Sequence, residues 1–122
     1  MFEPNNPFPI ENAEEFLCRV MYCNINQERE ELMIHAQSRN GDKFRLYCIE
    51  LRYFSGPMQW SGIDFEVKSQ EECKNLLVQN GYSKELADFL LQRGISLFEK
   101  KIKQGGKIQI IARYIEKINH NP

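Results

Sequence analysis

The sequence predicts an α+β domain: an antiparallel four-stranded meander, then a helical hairpin packed on one sheet face, then a C-terminal strand. Three observations carry this expectation. Asn40-Gly41 lies between two apolar-patterned runs, and both residues tolerate the positive φ of a tight hairpin turn. Ser69-x-x-Glu72 is a capping box, and Ser83 opens a second helical pattern just after Asn80-Gly81. The strand patterns precede the helix patterns instead of alternating with them, which separates α+β from α/β.

A chain of 122 residues can bury a core without disulfides or metal, so residues 1–122 are expected to form one domain. With 42% hydrophobic and 27% charged residues, wholesale disorder is excluded. No apolar run is long enough to span a bilayer as a helix. Met1–Asn6 lacks the basic and apolar regions of a secretory signal, and a cytoplasmic location is the expectation.

Residues 1–12 hold Pro4, Pro7 and Pro9 around Asn5-Asn6, which disfavours helix and sheet interior and predicts an extended strap. The sheet is expected over residues 13–68. Glu15–Ile25 alternates Phe16, Cys18, Val20 and Tyr22 with Leu17, Met21, Cys23 and Ile25. A helix from Asn12 competes, because Glu14 and Glu15 suit a first helical turn, so the strand is expected from Val20 onward with a helical turn before it. The second strand is Glu31–Ser38 and the third Lys43–Phe54. A two-residue loop pairs Arg39 with Asp42 and puts Leu32 opposite Ile49, Ile34 opposite Tyr47, Met33 opposite Cys48 and His35 opposite Leu46. The third strand is apolar on both faces, as in a central strand. Its Tyr and Ile side chains would leave an apolar patch on the sheet face away from the helices, suited to a partner or a second copy. Ser55-Gly56-Pro57 ends this strand, and Met58–Val67 supplies a fourth with Gly62 as a bulge.

Helices are expected over residues 69–104. The first runs to Gln79 and buries Cys73, Leu76 and Leu77; the second turns Leu86, Ala87, Leu90 and Leu91 inward. At Gly94 two continuations compete. Either the helix runs on to Gln104 along Ala87, Leu91, Ile95, Phe98 and Ile102, or it stops and Ser96-x-x-Glu99 caps a third helix. The unbroken helix is preferred, because one interior glycine costs only about 1 kcal/mol. Residues 107–118, rich in isoleucine, form the last strand, and 119–122 a frayed tail.

Functional signals are sparse. Cys18, Cys23, Cys48 and Cys73 show no C-x-x-C spacing and sit in apolar patterns, so they are expected as buried thiols. The hairpin register makes His35 and Cys48 diagonal neighbours, the raw material of a thiolate–imidazole nucleophile. No third group orients the pair, and one His with one Cys leaves two positions of a tetrahedral metal site unfilled. Asp64 and Glu66 share a strand face without a pocket motif and are expected in solvent. No catalytic residue, cofactor or metal site is predicted.

The most promising segment runs from Arg52 to Trp60. Arg52, Tyr53, Phe54, Met58 and Trp60 flank a Gly-Pro turn that cannot bury them all. Either they anchor a protein interface, where such residues dominate, or they close the end of the core beneath the helices, with Trp60 the first to be buried. A single-stranded nucleic-acid platform would use Arg45, Tyr47, Arg52, Tyr53 and Trp60. It is disfavoured by Glu50, Asp64 and Glu66 on the same sheet and by a net charge of −1. That charge is uneven: residues 1–37 hold seven acids against two bases, and residues 83–122 eight bases against four acids. Lys100, Lys101, Lys103 and Lys107 form a second basic spot, which a solvated helix end explains.

Leu76-Leu77, Gly81-Tyr82-Ser83 and the following Leu86, Ala87, Leu90 and Leu91 together resemble a ubiquitin-associated domain, whose Gly-aromatic loop joins two short helices. Asn80 stands where that family carries Met, and the family's function is not carried over. The expectation is a small cytosolic, non-enzymatic protein-binding module of the adaptor, inhibitor or immunity-protein kind. It would use the aromatic turn and a sheet face, and its partner would be another protein or a second copy.

Overall fold

The fold was obtained as a computed structural model that describes residues 13–25, 30–102 and 105–119. The strap predicted over residues 1–12 and the tail beyond Asn119 lie outside the described residues. A 3-10 turn at Ala13–Glu15 leads into β1 (Leu17–Ile25), followed by β2 (Glu30–Gln37), β3 (Lys43–Ile49), β4 (Tyr53–Ser55), β5 (Gln59–Ser61) and β6 (Glu66–Val67). Then come α1 (Gln70–Gln79), α2 (Lys84–Gln92), β7 (Ser96–Lys101), β8 (Lys107–Ala112) and β9 (Tyr114–Asn119). The class is α+β, and β1–β3 form a meander. The strands belong to two antiparallel sheets, ordered β5-β1-β2-β3-β9 and β4-β8-β7-β6.

The hairpin loop sets the architecture. It contains three residues, not two: Gly41 N–H donates to the Ser38 carbonyl at 3.1 Å, and Ser38 N–H to the Asp42 carbonyl at 2.9 Å. Gly41 takes φ 90, the left-handed residue that closes a three-residue hairpin loop with a bulge. Pairing therefore slips by one residue from the expected register, to Leu32↔Cys48, Ile34↔Leu46 and Ala36↔Phe44. Since side chains alternate with period two, the slip gathers these six on a single buried face. The buried face packs on Phe98, Ile108, Ile110 and Ala112 of the second sheet, forming the main core.

The expected long third strand is instead two. Glu50, at φ 55, takes a left-handed conformation that breaks it, and the chain re-enters the other sheet as β4. Its partner bends at the same place: the expected single strand 107–118 divides at Arg113 into β8 and β9, one in each sheet. The ribbon stays paired around this corner through Arg113 N–H to the Ile49 carbonyl at 2.9 Å and Arg52 N–H to the Ile111 carbonyl at 2.7 Å. The expected fourth strand is likewise divided. β5 pairs with β1 and β6 with β7, because Gly62, at φ 106, turns the chain and lets Ile63 and Phe65 fill the core between them.

The helices start where the sequence placed them. Ser69 Oγ accepts from Glu72 N–H and Ser83 Oγ from Leu86 N–H, each at 3.1 Å. Their ends explain why the continuous helix to Gln104 does not form. Gly94, at φ 96, donates its N–H to the Leu91 carbonyl while Ile95 donates to Leu90, the paired bonds of a Schellman stop. The glycine is a helix terminator and not a tolerated interior residue. Residues 96–101, the alternative third helix, become β7, whose Leu97 and Phe98 are buried on opposite sides of the second sheet. Leu86, expected inward, is 44% exposed, since the buried stripe of this short helix is Ala87 and Leu90.

The helices cover the second sheet through Cys73, Leu77, Ala87 and Leu90, which pack on Leu97 and Ile111. The molecule is thus layered: five-stranded sheet, four-stranded sheet, helical hairpin. Buried on both faces, the middle sheet accounts for isoleucine at 108, 110 and 111, on both sides of β8. Among the described residues, no element packs over the outer face of the five-stranded sheet.

Candidate functional site

The five turn residues do not converge on one surface. Arg52 is half-buried and its guanidinium pairs with the Glu30 carboxylate at 3.1 Å. Tyr53 packs with the helix cluster, while its neighbour Phe54 points the other way, against the main core. Trp60 is buried, donates its indole N–H to the Gly62 carbonyl at 2.8 Å and meets Phe65 edge-on. Met58 alone leaves a large apolar side chain in solvent, at 60% exposure.

The register builds a different surface. On the outer face of the five-stranded sheet, the cross-strand pairs Arg19↔His35, His35↔Arg45 and Arg45↔Ile118 form one row. The next row is Tyr22, Met33, Tyr47 and Glu116; a third joins Asn24, Glu31, Ile49 and Tyr114. Tyr22 reaches this face because the β1 register shifts between Val20 and Tyr22, placing Tyr22 beside Met33. Leu17, Tyr22, Tyr114 and Ile118 are exposed, while Met33, Tyr47 and Ile49 are half-buried by one another. Tyr47 donates its hydroxyl to Glu31. The result is an apolar and aromatic field, with Arg19 and Arg45 along one row and Glu116 and Glu31 on the two rows beyond it.

Of the expected surface, the Tyr and Ile side chains of the third strand are here as Tyr47 and Ile49. Sequence reasoning missed Tyr22, Met33, Tyr114 and Ile118. The signal for Met33 was present, since only the three-residue loop sorts the hairpin into one wholly apolar face and one mixed face. The signal for Tyr22 was not, because it depends on a register shift that no residue type announces.

The chemistry of a nucleophile is absent from the hairpin. The one-residue slip puts His35 on the outer face and Cys48 on the buried one. Burial raises the Cys48 thiol above its ordinary range and pushes Cys18 and Cys73 up to about 12, leaving all three protonated near neutrality. Cys23 differs in being exposed. Asp64 pairs with Lys100 at 3.0 Å, and Glu66 lies 3.8 Å from Lys68, so the two carboxylates serve separate ion pairs. No three His, Cys, Asp or Glu side chains cluster as metal ligands among the described residues. In the helical hairpin, the Tyr82 hydroxyl donates to the Arg52 carbonyl at 3.4 Å, so the aromatic of the Gly-Tyr loop turns toward the sheet.

No family model matches the chain, and no curated protein or solved structure matches it either.

Proposed function

We propose that the protein is a small non-enzymatic protein-binding module of the cytosol, of the adaptor, inhibitor or immunity-protein kind, and that it docks its partner on the outer face of the five-stranded sheet. One observation carries this reading. Three strand-to-strand rows leave Tyr22, Tyr114 and Ile118 in solvent around half-buried Met33, Tyr47 and Ile49. Contiguous apolar surface of this kind marks interaction sites, and tyrosines flanked by arginine are favoured anchors. The same face is compatible with a second copy, because its basic row and its carboxylate rows would oppose each other across a two-fold axis.

A second reading has its own support. Arg19, His35 and Arg45 lie in one row beside Tyr22 and Tyr47, an arrangement on which unpaired bases could stack. A photo-crosslinking phenylalanine analogue at Tyr114, activated in the host's cells, separates the two. The first reading predicts a protein adduct that survives nuclease. A nuclease-sensitive adduct would replace it with the second, and no adduct would overturn both.

A further inference from the structure

A different feature lies at the edge of β5 that no other strand pairs with among the described residues. There a groove of about 800 Å³ runs between β5 and the hairpin that joins β7 to β8. Leu17, Trp60 and Ile102 line it together with Lys100, Lys101 and Lys107, and no acidic residue is among the described residues that line it. Lys100 is held by Asp64 at 3.0 Å and Lys107 by Glu99 at 3.6 Å. Lys101 is exposed and has no acidic partner among the described residues. Gly62 lets Lys100 approach, because a Cβ there would come within 2.6 Å of Lys100 Cε.

One side of the groove is a strand edge. Gly62 N–H donates to the Phe16 carbonyl at 2.7 Å and Val20 N–H to the Met58 carbonyl at 2.9 Å, so residues 58 and 62 turn their backbone toward β1. Antiparallel alternation then turns the N–H and C=O groups of Gln59 and Ser61 the other way. Among the described residues β5 is the last strand of its sheet, and both residues line the groove. Open backbone groups at a sheet edge recruit an extended chain, and three lysines opposite select its charge.

We propose that this groove captures an extended acidic segment of a partner protein by strand addition. The segment pairs with Gln59 and Ser61, sets alternate carboxylates against Lys101, Lys100 and Lys107, and turns the intervening apolar side chains to the opposite face, beside Leu17. The site adjoins the outer face at Leu17 but is separable from the outer-face reading, since none of its backbone donors or lysines belongs to the aromatic rows.

The test titrates the isotope-labelled full chain with a synthetic peptide of alternating Glu and Val, followed by amide NMR. Its controls are the Lys-Val counterpart and the Tyr114→Ala variant. The expected result is amide shifts centred on Gln59, Ser61 and Lys101, absent with the Lys-Val peptide and unchanged in Tyr114→Ala. Lys101→Glu and Gln59→Pro, the second removing one outward N–H at an edge that tolerates proline, should each weaken binding about fivefold. No shifts at millimolar peptide, equal shifts with the Lys-Val peptide, or shifts that avoid β5 would overturn the proposal. Loss of an outer-face adduct would leave it untouched.

Discussion

Glu50 offers the sharpest test of the corner that divides β3 from β4. It is the one non-glycine residue with positive φ, at 55, among the described residues. An L side chain in that region costs roughly 1–2 kcal/mol. Its carboxylate lies 3.0 Å from Arg93 and 3.6 Å from Arg113, pairs that are partly exposed and contribute at most about 0.5 kcal/mol each. Glu50→Ala loses the pairs and keeps the backbone cost. Glu50→Gly loses the same pairs and relieves that cost, offset by about 0.4–1 kcal/mol for the added freedom of the unfolded chain. The difference leaves Glu50→Gly the more stable of the two by about 0.8 kcal/mol, or about 3 °C in melting temperature for a domain of this size. Urea unfolding of both variants, with equal m values, measures it directly. If Glu50→Ala proves as stable as Glu50→Gly, residue 50 does not occupy the left-handed region and the corner is built differently.

Other expectations follow from the same geometry. In the native protein a thiol reagent at neutral pH should modify Cys23 alone, with the other three reacting only in denaturant; a fast Cys48 would restore the abandoned nucleophile. Unfolded thiols ionise near 9.0 while buried Cys18 and Cys73 hold their protons to about 12. The folded state therefore binds more protons across that window, and stability should be level below pH 9 and fall above it; a urea midpoint that rises there would contradict this. Gly62→Ala should destabilise more than Gly41→Ala. Both take a positive φ, but only at Gly62 does a new Cβ meet Lys100 Cε at 2.6 Å and Asp64 Oδ1 at 2.9 Å, so equal urea midpoints would refute the packing there. Ser83→Ala should cost about 1 kcal/mol through the lost cap of α2, read as a lower urea midpoint with unchanged m.

Local signals were legible where a residue type dictates one conformation. Ser69, Glu72, Gly81 and Ser83 placed both helix starts and the turn between them, because caps and left-handed stops depend on single residues. Gly94 was ambiguous for a physical reason. Its helical alternative continued an apolar stripe, and only the burial of Leu97 and Phe98 on opposite sides of a sheet, a tertiary fact, decides for the strand. Asn40-Gly41 marked the hairpin, yet not whether Arg39 joined the loop, and that one residue moved His35 and Cys48 to opposite faces. The aromatic turn was visible as composition. Trp60 goes inward, as its large apolar ring favours, but that Met58 would stay out depended on β5 crossing to pair with β1, which no local pattern encodes.

Among the described residues the outer sheet face is not alone in exposing apolar side chains: on α2, Leu86 and Phe89 are 44% and 53% exposed, and the proposed docking could use either surface. Parallel photo-crosslinking from Tyr114 and from Phe89 decides between them. A nuclease-resistant protein adduct from Tyr114, with none from Phe89, is the predicted result. An adduct from Phe89 with none from Tyr114 would contradict the assignment of the outer sheet face as the docking surface.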